Sequence, residues 1–544
     1  MKQTTLSVAL EVAPESCTRL SGLLDALKKR EEAHPHGIPE SYERLKQSVP
    51  VLHLMSMSVF PAADYDPLFV IEANFDGTPG VFWAQLEAAI GDDLRAMIRC
   101  CKRPLDHAGP LYDAVTKSGS RTPIAPYLEA RTLKPSAFHQ GNRGLTRARI
   151  LAEGELYLAT RDEIAHANEG GKSPYRGVTS EVIHQRLRAA LLPKFPWLDE
   201  KVPARIPLGE RLMDLAKLAG FAFIVLFILS LPGIFLAAVA PGGRYFIVLG
   251  VAFAILLALL MGLRAPLPGT AAPRKAGSMS LSGIPFRVWV MILFFLALYT
   301  GISSGLSALV LAPIMDQPFD PVFRSTVRAV LLGLASVPVS VTGILLWVRL
   351  LERRDSSQDL PPIDERMMRE MVRREDWITQ SHMGSVVLVK PGVLRTVAFR
   401  AGHWGLGMIL RVIATNGYLG SMRTIHFAHW AFVNNGHRLM FFSNFDHSWE
   451  SYLDDFIEKA HGGLTLAWSS CTGFPPTRFL VLDGASHGRK FKNWARHSMA
   501  VSRFWFSAYR EFTTDQIERS YRIAEGLRKK TLSAKDAKAW VNDL

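Results

Sequence analysis

The sequence predicts an α+β protein in which two similar soluble units flank a block of four transmembrane helices. The chain has 544 residues, which is too many for one compact core, and its 48% hydrophobic content is high for a soluble protein of this size. Long uncharged apolar stretches fill its middle. On either side of them the tripeptide Asn-Phe-Asp ends an apolar strand pattern and precedes a helix start, at 74–76 and again at 444–446. This repeat indicates that one soluble unit occurs twice.

The apolar block is predicted to form two helical hairpins in a membrane. The stretch 218–240 has no charged side chain and, at ~1.5 Å per residue, is long enough to cross ~30 Å of hydrocarbon. A turn at 241–243 leads to a second uncharged stretch, 245–263, and a second pair follows at 288–315 and 329–348. Because none of these cores holds an acidic or basic residue, the sequence argues against a proton or ion pathway.

The formal net charge of +14 gathers beside these stretches. One side of the membrane would carry Lys201, Arg205, Arg211, Lys217, Arg264, Arg274, Lys275, Arg287, Arg349, Arg353 and Arg354. The opposite loops hold only Arg244, Arg324 and Arg328. The positive-inside rule therefore predicts a multi-pass membrane protein with both termini in the cytoplasm. The lipid bilayer is the first predicted partner, and no nucleic-acid partner is needed to explain the charge.

Each soluble unit has the order strand, helix, strand, strand, helix, strand, which is the split βαβ arrangement of ferredoxin-like folds. Residues of one strand face alternate sides, so the strand at 68–76 has an apolar row and a mixed row. The apolar row comprises Phe69, Ile71, Ala73 and Phe75, and it is expected to face the helices. Asn74 and Asp76 would then lie on the uncovered face. Two such faces packed together within the chain would form an α+β barrel of the dimeric type.

The sequence divides into seven predicted segments. They are a first ferredoxin-like cytoplasmic domain at 1–170, a linker and juxtamembrane segment at 171–212, a transmembrane hairpin at 213–264, a cytoplasmic loop at 265–287, a second hairpin at 288–351, a second linker at 352–383, and a second ferredoxin-like cytoplasmic domain at 384–544.

Shared polar positions are the candidate site residues. Aligning the two units pairs Asp76 with Asp446 and, further along, "AFHQGNRGLTRARI" with "KFKNWARHSMAVSR", which pairs Arg143 with Arg496. Asp and Asn between a strand and a helix commonly bind the backbone and stabilise the turn. The alternative is a catalytic carboxylate at a pocket rim. The two arginines are candidates for anchoring an anion or a carboxyl group.

His53 and His426 open the second strand of each unit and are the candidate cofactor ligands. A strand histidine is more often a hydrogen-bonded core residue than a ligand. Strand alternation predicts that His429 lies on the opposite side from His426. Thr78 and Ser448 are the predicted caps of the helices that follow the repeated tripeptide. The four cysteines lack metal-ligand spacing, so no metal site is predicted.

The second unit resembles a largely uncharacterised bacterial family over about the last third of the chain. The resemblance is carried by "SVVLVKPGVLR", "TIHFAHWAFV", "LMFFSNFDHSWESYLDDFIEKA" and "WFSAYREFTTDQI". That family typically has Asp-Gly where this unit has Asp446-His447, whereas the first unit keeps Asp76-Gly77. At fold level the tandem unit is similar to the dimeric α+β barrels of dye-decolourising peroxidases and chlorite dismutases. This similarity implies haem as a cofactor between sheet and helices.

Two hypotheses of function follow. The first is an integral membrane protein whose two cytoplasmic domains pair within the chain to form a ligand-binding or scaffold module. The alternative is a membrane-anchored, haem-dependent peroxidase-like oxidoreductase, in which His426 or His53 ligates haem and Asp446, Asp76 or Arg496 assists peroxide cleavage. No Walker loop, Rossmann glycine pattern, nucleophile elbow or HExxH motif occurs. The sequence leaves open whether the protein is an enzyme and whether it forms oligomers.

Overall fold

The computed structural model describes residues 2–32, 42–62, 65–169, 173–266, 285–357, 362–363, 365–375, 378–413, 419 and 422–544. Its helices are α1 Cys17–Glu32, α2 Glu43–Ser48, α3 Pro79–Ile98, α4 Gly109–Thr116, α5 Ala125–Ala130, α6 Arg147–Glu169, α7 Ser180–Leu191, α8 Leu208–Val239, α9 Gly243–Leu263, α10 Phe286–Ile314, α11 Phe319–Arg353, α12 Glu365–Glu375, α13 Val393–Ile413, α14 Trp449–Lys459, α15 His461–Trp468, α16 Gly488–Ser498, α17 Thr514–Arg528 and α18 Ala534–Val541. Its strands are β1 Gln3–Glu11, β2 Leu52–Phe60, β3 Leu68–Asp76, β4 Thr132–Leu133, β5 Ala137–Gln140, β6 Gln380–Leu388, β7 Ile425–Val433, β8 Arg438–Asp446, β9 Thr477–Arg478, β10 Leu482–Asp483, β11 Met499–Ala500 and β12 Phe504–Ser507.

Four helices, α8 to α11, are long and apolar enough to cross a membrane, as the sequence predicts. Many of their large apolar side chains point outward, among them Phe235, Ile247 and Phe294. A surface of this kind is stable against lipid. Most of the predicted loop at 265–287, including Arg274 and Lys275, lies outside the described residues.

The helices α8 and α11 cross at a row of small residues. A Cβ atom added to Gly233 would overlap the side chain of Ser336 and lie 3.0 Å from the Leu332 carbonyl oxygen. A Cβ atom on Gly333 would lie 3.1 Å from both the Cβ and the carbonyl oxygen of Ser230. Small residues let membrane helices approach closely, where van der Waals contact replaces the missing hydrophobic drive. The first and last membrane helices are therefore packed directly against each other.

Two five-stranded antiparallel sheets carry the soluble part, with strand orders β12-β2-β3-β1-β4 and β11-β6-β8-β7-β5. Each sheet is completed by a strand from the other half of the chain. Phe504 of β12 lies opposite Met57 of β2, and Ala137 of β5 lies opposite Trp430 of β7. Neither sheet is therefore built from one predicted domain alone.

The two faces of β3 divide as strand alternation predicts. Phe69 and Phe75 pack into a core with residues of α1 and α3, including Leu20 and Phe82. The opposite face meets the second sheet, where the rings of Phe60 and Phe442 pack edge to face at 5.9 Å. The interior between the sheets is lined by the mixed row of each strand, and it holds buried polar groups such as Glu72 and Asn444.

The structure corrects the sequence alignment of the two halves beyond the repeated tripeptide. β5 and β12 occupy matching edge positions, each beside the strand that carries a candidate histidine. Arg143 follows β5 and Arg510 follows β12 at the same distance along the chain, so these two arginines are equivalent. Arg496 instead belongs to α16. The alignment matched strand β5 with helix α16, because both aligned segments have a Phe at their second position and an Arg at their seventh.

Candidate functional site

His426 and Asp446 form a buried pair at one end of the second sheet. Their Nε2 and Oδ1 atoms are 2.7 Å apart, and each residue is 1% exposed. The other carboxylate oxygen of Asp446 accepts a hydrogen bond of 2.8 Å from the backbone N–H of Thr514, the first residue of α17. A carboxylate at a helix N-terminus satisfies a free N–H and interacts favourably with the helix dipole.

The first half repeats this arrangement. His53 Nε2 lies 3.1 Å from Asp76 Oδ1, and the other oxygen of Asp76 accepts a 2.7 Å hydrogen bond from the N–H of Arg147, the first residue of α6. His53 also shares a 2.8 Å hydrogen bond with the hydroxyl of Tyr509, which belongs to the other half of the chain. Each aspartate thus stabilises a helix distant in sequence, whereas the sequence predicted a bond within the turn that follows the tripeptide.

Both candidate histidines sit at β-bulges. The register between β2 and β3 shifts between Leu52 and Leu54, and that between β7 and β8 shifts between Ile425 and Phe427. A bulge adds one residue to a strand and re-aims its side chain. The bulge also overturns the expectation for His429, which faces the same inter-sheet space as His426 and shares a 2.7 Å hydrogen bond with Ser7. The prediction from strand alternation is wrong here because the extra residue of the bulge shifts by one the alternation of side chains between the two faces.

The turn after each aspartate uses a positive φ. Gly77 has φ of 92° and His447 has φ of 69°, so the second half uses a histidine where the first uses the more permissive glycine. Ser448 caps α14 as predicted, accepting a 3.3 Å hydrogen bond from the N–H of Ser451. Thr78 occupies the N-cap position of α3, but its side chain makes no capping hydrogen bond.

The two candidate arginines lie in different environments. Arg143 is buried and joins a cluster of four charges, donating to Asp214 at 2.6 Å and to Glu210, both on α8. Arg411 of α13 completes the cluster with a 2.6 Å hydrogen bond to Glu210. Arg496 lies on the surface of α16, pairs with Glu450 and stacks over Trp449. The structure does not bring either arginine to an aspartate–histidine pair.

The paired residues do not fit an axial haem ligand. In His53 and His426 the Nε2 atom, which would face iron when a carboxylate orients Nδ1, already faces the aspartate. His53 has its second nitrogen engaged by Tyr509. Both rings are buried to 1% exposure or less, between a strand and a helix end. The aspartate of each pair binds the first N–H of α6 or of α17, so the arrangement holds these two helices in place.

Sequence reasoning missed Glu72, which lies at the centre of the inter-sheet space. Its carboxylate accepts hydrogen bonds from Ser56 at 3.2 Å, from Asn444 of the other sheet at 3.4 Å, and from Asn74. Burial raises the pKa of Glu72 to about 7, against these hydrogen bonds, which lower it. A signal was available: this is the one acidic residue inside an otherwise apolar and amide-bearing strand pattern of nine residues that ends at Asp76.

A cavity of about 510 Å³ lies where the last membrane helix meets the second half of the soluble part. Its walls come from the end of α11, the segment before α13, the first turns of α13, the residues after α15 and the first turns of α16. The charged side chains at this cavity are Glu352, Asp355, Lys390, Arg395, Arg489 and Lys490. No sequence pattern predicted it, because its walls come from five separate parts of the chain.

Within the described ranges, no group of three or more His, Cys, Asp or Glu side chains is placed to hold a metal ion. Burial raises the pKa of the Cys101 and Cys471 thiols, so both are held protonated.

No protein-family model, no curated protein and no solved structure matches this chain.

Proposed function

We propose that this protein is a multi-pass protein of the bacterial inner membrane, whose two soluble halves pair within the chain on the cytoplasmic side. The paired halves would form a ligand-binding or scaffold module held against the bilayer. The observation that carries the proposal is the reciprocal placement of β5 and β12, which gives each half a strand in the sheet of the other. Backbone hydrogen bonding of this kind joins the halves more firmly than side-chain contacts alone.

Two polar contacts support a fixed position of this module against the membrane helices. At the start of α8, Glu210 and Asp214 meet Arg143 of the first half and Arg411 of the second. At the end of α11, the Arg349 guanidinium donates to the carbonyl oxygen of Ala265 at 2.7 Å and to that of Thr477 at 3.2 Å. Contacts at both ends of the membrane block favour a rigid platform over a tethered domain.

The basic residues beside the membrane helices support a cytoplasmic location of the module. Arg205, Arg211 and Lys217 precede or begin the first membrane helix, and Arg353 and Arg354 end the last one. These residues lie on the side of the membrane where the soluble part attaches, which is the side that the positive-inside rule assigns to the cytoplasm. A peroxidase-like activity is not proposed, since the candidate histidines do not fit haem ligation.

A cross-linking experiment on the full-length protein tests whether the two halves pair within one chain and on which side of the membrane they lie. Asp25 of α1 and Arg503 beside β12 form an ion pair of 3.0 Å between the two halves. In the variant D25C/R503C, we expect a short bifunctional maleimide to give one intramolecular cross-link, identified by mass spectrometry of the joined peptides. A membrane-impermeant maleimide should label both cysteines in inside-out vesicles and neither in intact spheroplasts.

The single variants D25C and R503C are the matched controls, and the unmodified protein measures the background from the native cysteines. A D25C/R503C protein that folds but gives only cross-links between chains would contradict pairing within the chain. Labelling of the two cysteines from opposite sides of the membrane would contradict the shared compartment.

A further inference from the structure

We propose that the cavity between α11 and the second half of the soluble part binds a phosphate-bearing anion at the cytoplasmic surface of the membrane. This inference rests on the proposed function only for the side of the membrane that the cavity faces. The cavity and its charges exist whichever side of the membrane it faces.

The carboxylates at the cavity are already engaged by protein groups. Glu352 accepts hydrogen bonds from the N–H groups of Phe479 and Leu480 at 3.0 and 2.9 Å, and its carboxylate is also held by Arg349. Asp355 pairs with Lys390 at 2.5 Å, and although burial alone would raise the pKa of Asp355, Lys390 lowers it below its usual range. Both carboxylates are therefore already held by groups of the protein.

Two arginines of the cavity, Arg395 and Arg489, have no carboxylate partner among the described residues. Arg395 donates to the carbonyl oxygen of Leu351 at 2.8 Å, and it has no carboxylate partner among the described residues. Arg489 is exposed at the cavity and has neither a hydrogen bond nor an ion pair within the described residues. Two guanidinium groups facing one concave space are the usual means of binding a phosphate, because each offers a fork of N–H donors.

The apolar walls and the position narrow the class of ligand. Val348, Leu351, Phe474 and Leu480 line the same space, so a bound anion would have an apolar part beside its charge. The volume of about 510 Å³ is within the range of small-molecule pockets. The cavity also lies at the end of α11, next in sequence to Arg353 and Arg354, and basic pockets at the ends of membrane helices can bind lipid headgroups. A phospholipid headgroup and a soluble phosphate compound share this chemistry, and the experiment separates them.

The variant R489Q removes one unpartnered guanidinium, and R496Q is its matched control. Both residues are arginines of α16, but Arg489 is exposed at the cavity, whereas Arg496 is half-buried and pairs with Glu450 away from the cavity. The full-length protein, purified in a neutral detergent, is titrated with phosphatidylglycerol, with phosphatidylcholine and with inorganic pyrophosphate. Binding is followed by the melting temperature and by native mass spectrometry of retained lipid.

We expect phosphatidylglycerol or pyrophosphate, but not phosphatidylcholine, to raise the melting temperature of the unmodified protein. The apparent Kd should rise about tenfold in R489Q, as expected for the loss of one charge-assisted contact, and remain unchanged in R496Q. A response to phosphatidylglycerol alone would assign a lipid ligand, and one to pyrophosphate alone a soluble ligand.

Three results would overturn the inference: no response of the unmodified protein to either anion, an equal response to phosphatidylcholine, or an equal loss of affinity in both variants. Because the unliganded melting temperatures of R489Q and R496Q are measured first, a folding defect is distinguished from lost binding. Failure of the cross-linking experiment would leave these titrations interpretable, since they do not depend on which side the cavity faces.

Discussion

Asp446 joins three elements through one carboxylate. It ends β8, holds His426 of β7 with one oxygen, and binds the first N–H of α17 with the other. Asp76 does the same for β3, β2 and α6. The helix α17 follows β12, and α6 follows β5. Each aspartate therefore fixes a helix whose preceding strand lies in the other sheet, not in the sheet of the aspartate itself. The repeated tripeptide is therefore explained by assembly of the fold.

Replacing Asp446 with alanine is expected to lower the free energy of unfolding by about 2–4 kcal/mol, because it leaves the Thr514 N–H and a His426 ring nitrogen buried without an acceptor. The melting temperature of the detergent-purified protein measures this change. The control is D454A on the exposed face of α14, where the effect should stay within about 0.5 kcal/mol. Equal melting temperatures for the two variants would contradict the structural role of Asp446.

The raised pKa of Glu72 predicts that the folded state loses stability as the pH rises. Burial raises its pKa to about 7, so the folded state holds its proton more tightly than the unfolded chain does. The stabilisation from this group is complete below the ordinary carboxyl pKa of about 4.3 and is lost as the pH rises through about 7. We expect the melting temperature of the unmodified protein to fall relative to that of E72Q between pH 5.5 and pH 8.

The matched control for E72Q is E458Q, which changes an exposed glutamate of α14. The difference between E458Q and the unmodified protein should not depend on pH over the same interval. A difference between E72Q and the unmodified protein that stays constant with pH would mean that Glu72 does not titrate there.

At the scale of elements, the sequence predicts what depends on local patterns. Long stretches without charged residues identify the helices α8 to α11. The alternation of side chains along a strand identifies the row of β3 that faces the helices. The bulges at His53 and His426 could not be predicted, because a bulge depends on pairing with the neighbouring strand. The placement of β5 and β12 was missed for the same reason, since four-residue strands take their partner from tertiary contacts.

The crossing of α8 and α11 predicts an effect of side-chain size. In G233V the new side chain would overlap Ser336 and the backbone of Leu332, and overpacking of this kind costs about 1–3 kcal/mol. The melting temperature should fall accordingly. In G250V on α9, a Cβ atom meets no atom within 4 Å, so this variant should behave like the unmodified protein. Similar values for the two variants would contradict close packing at this crossing.

At the scale of the whole molecule, Arg349 connects the membrane helices with the soluble part. It is 1% exposed and donates to the carbonyl oxygens of Leu263, the last residue of α9, of Ala265 just after it, and of Thr477 at the cavity. Glu352 binds the same loop through Thr477 Oγ1 at 2.8 Å. Through these bonds the ends of two membrane helices and one loop of the second half form one contact.

Replacing Arg349 with glutamine should loosen this contact without removing either part. Hydrogen exchange in full-length protein is expected to increase severalfold in 477–483 and in 261–266, because several carbonyl oxygens lose their donor. The control is R353Q, which changes an exposed arginine one turn later on α11. If both variants exchange like the unmodified protein, Arg349 does not couple the two parts.

The reciprocal strands also constrain the order in which the chain can be assembled during synthesis. The strand β5 cannot pair with β7 until the ribosome has made about 290 more residues. At ~5–20 residues per second this delay is on the order of tens of seconds. The pairing of β2 with β12 is delayed longer, because β12 is made still later. Insertion into the bilayer therefore precedes closure of either sheet, and the nascent N-terminal half must be protected from aggregation through its open edges.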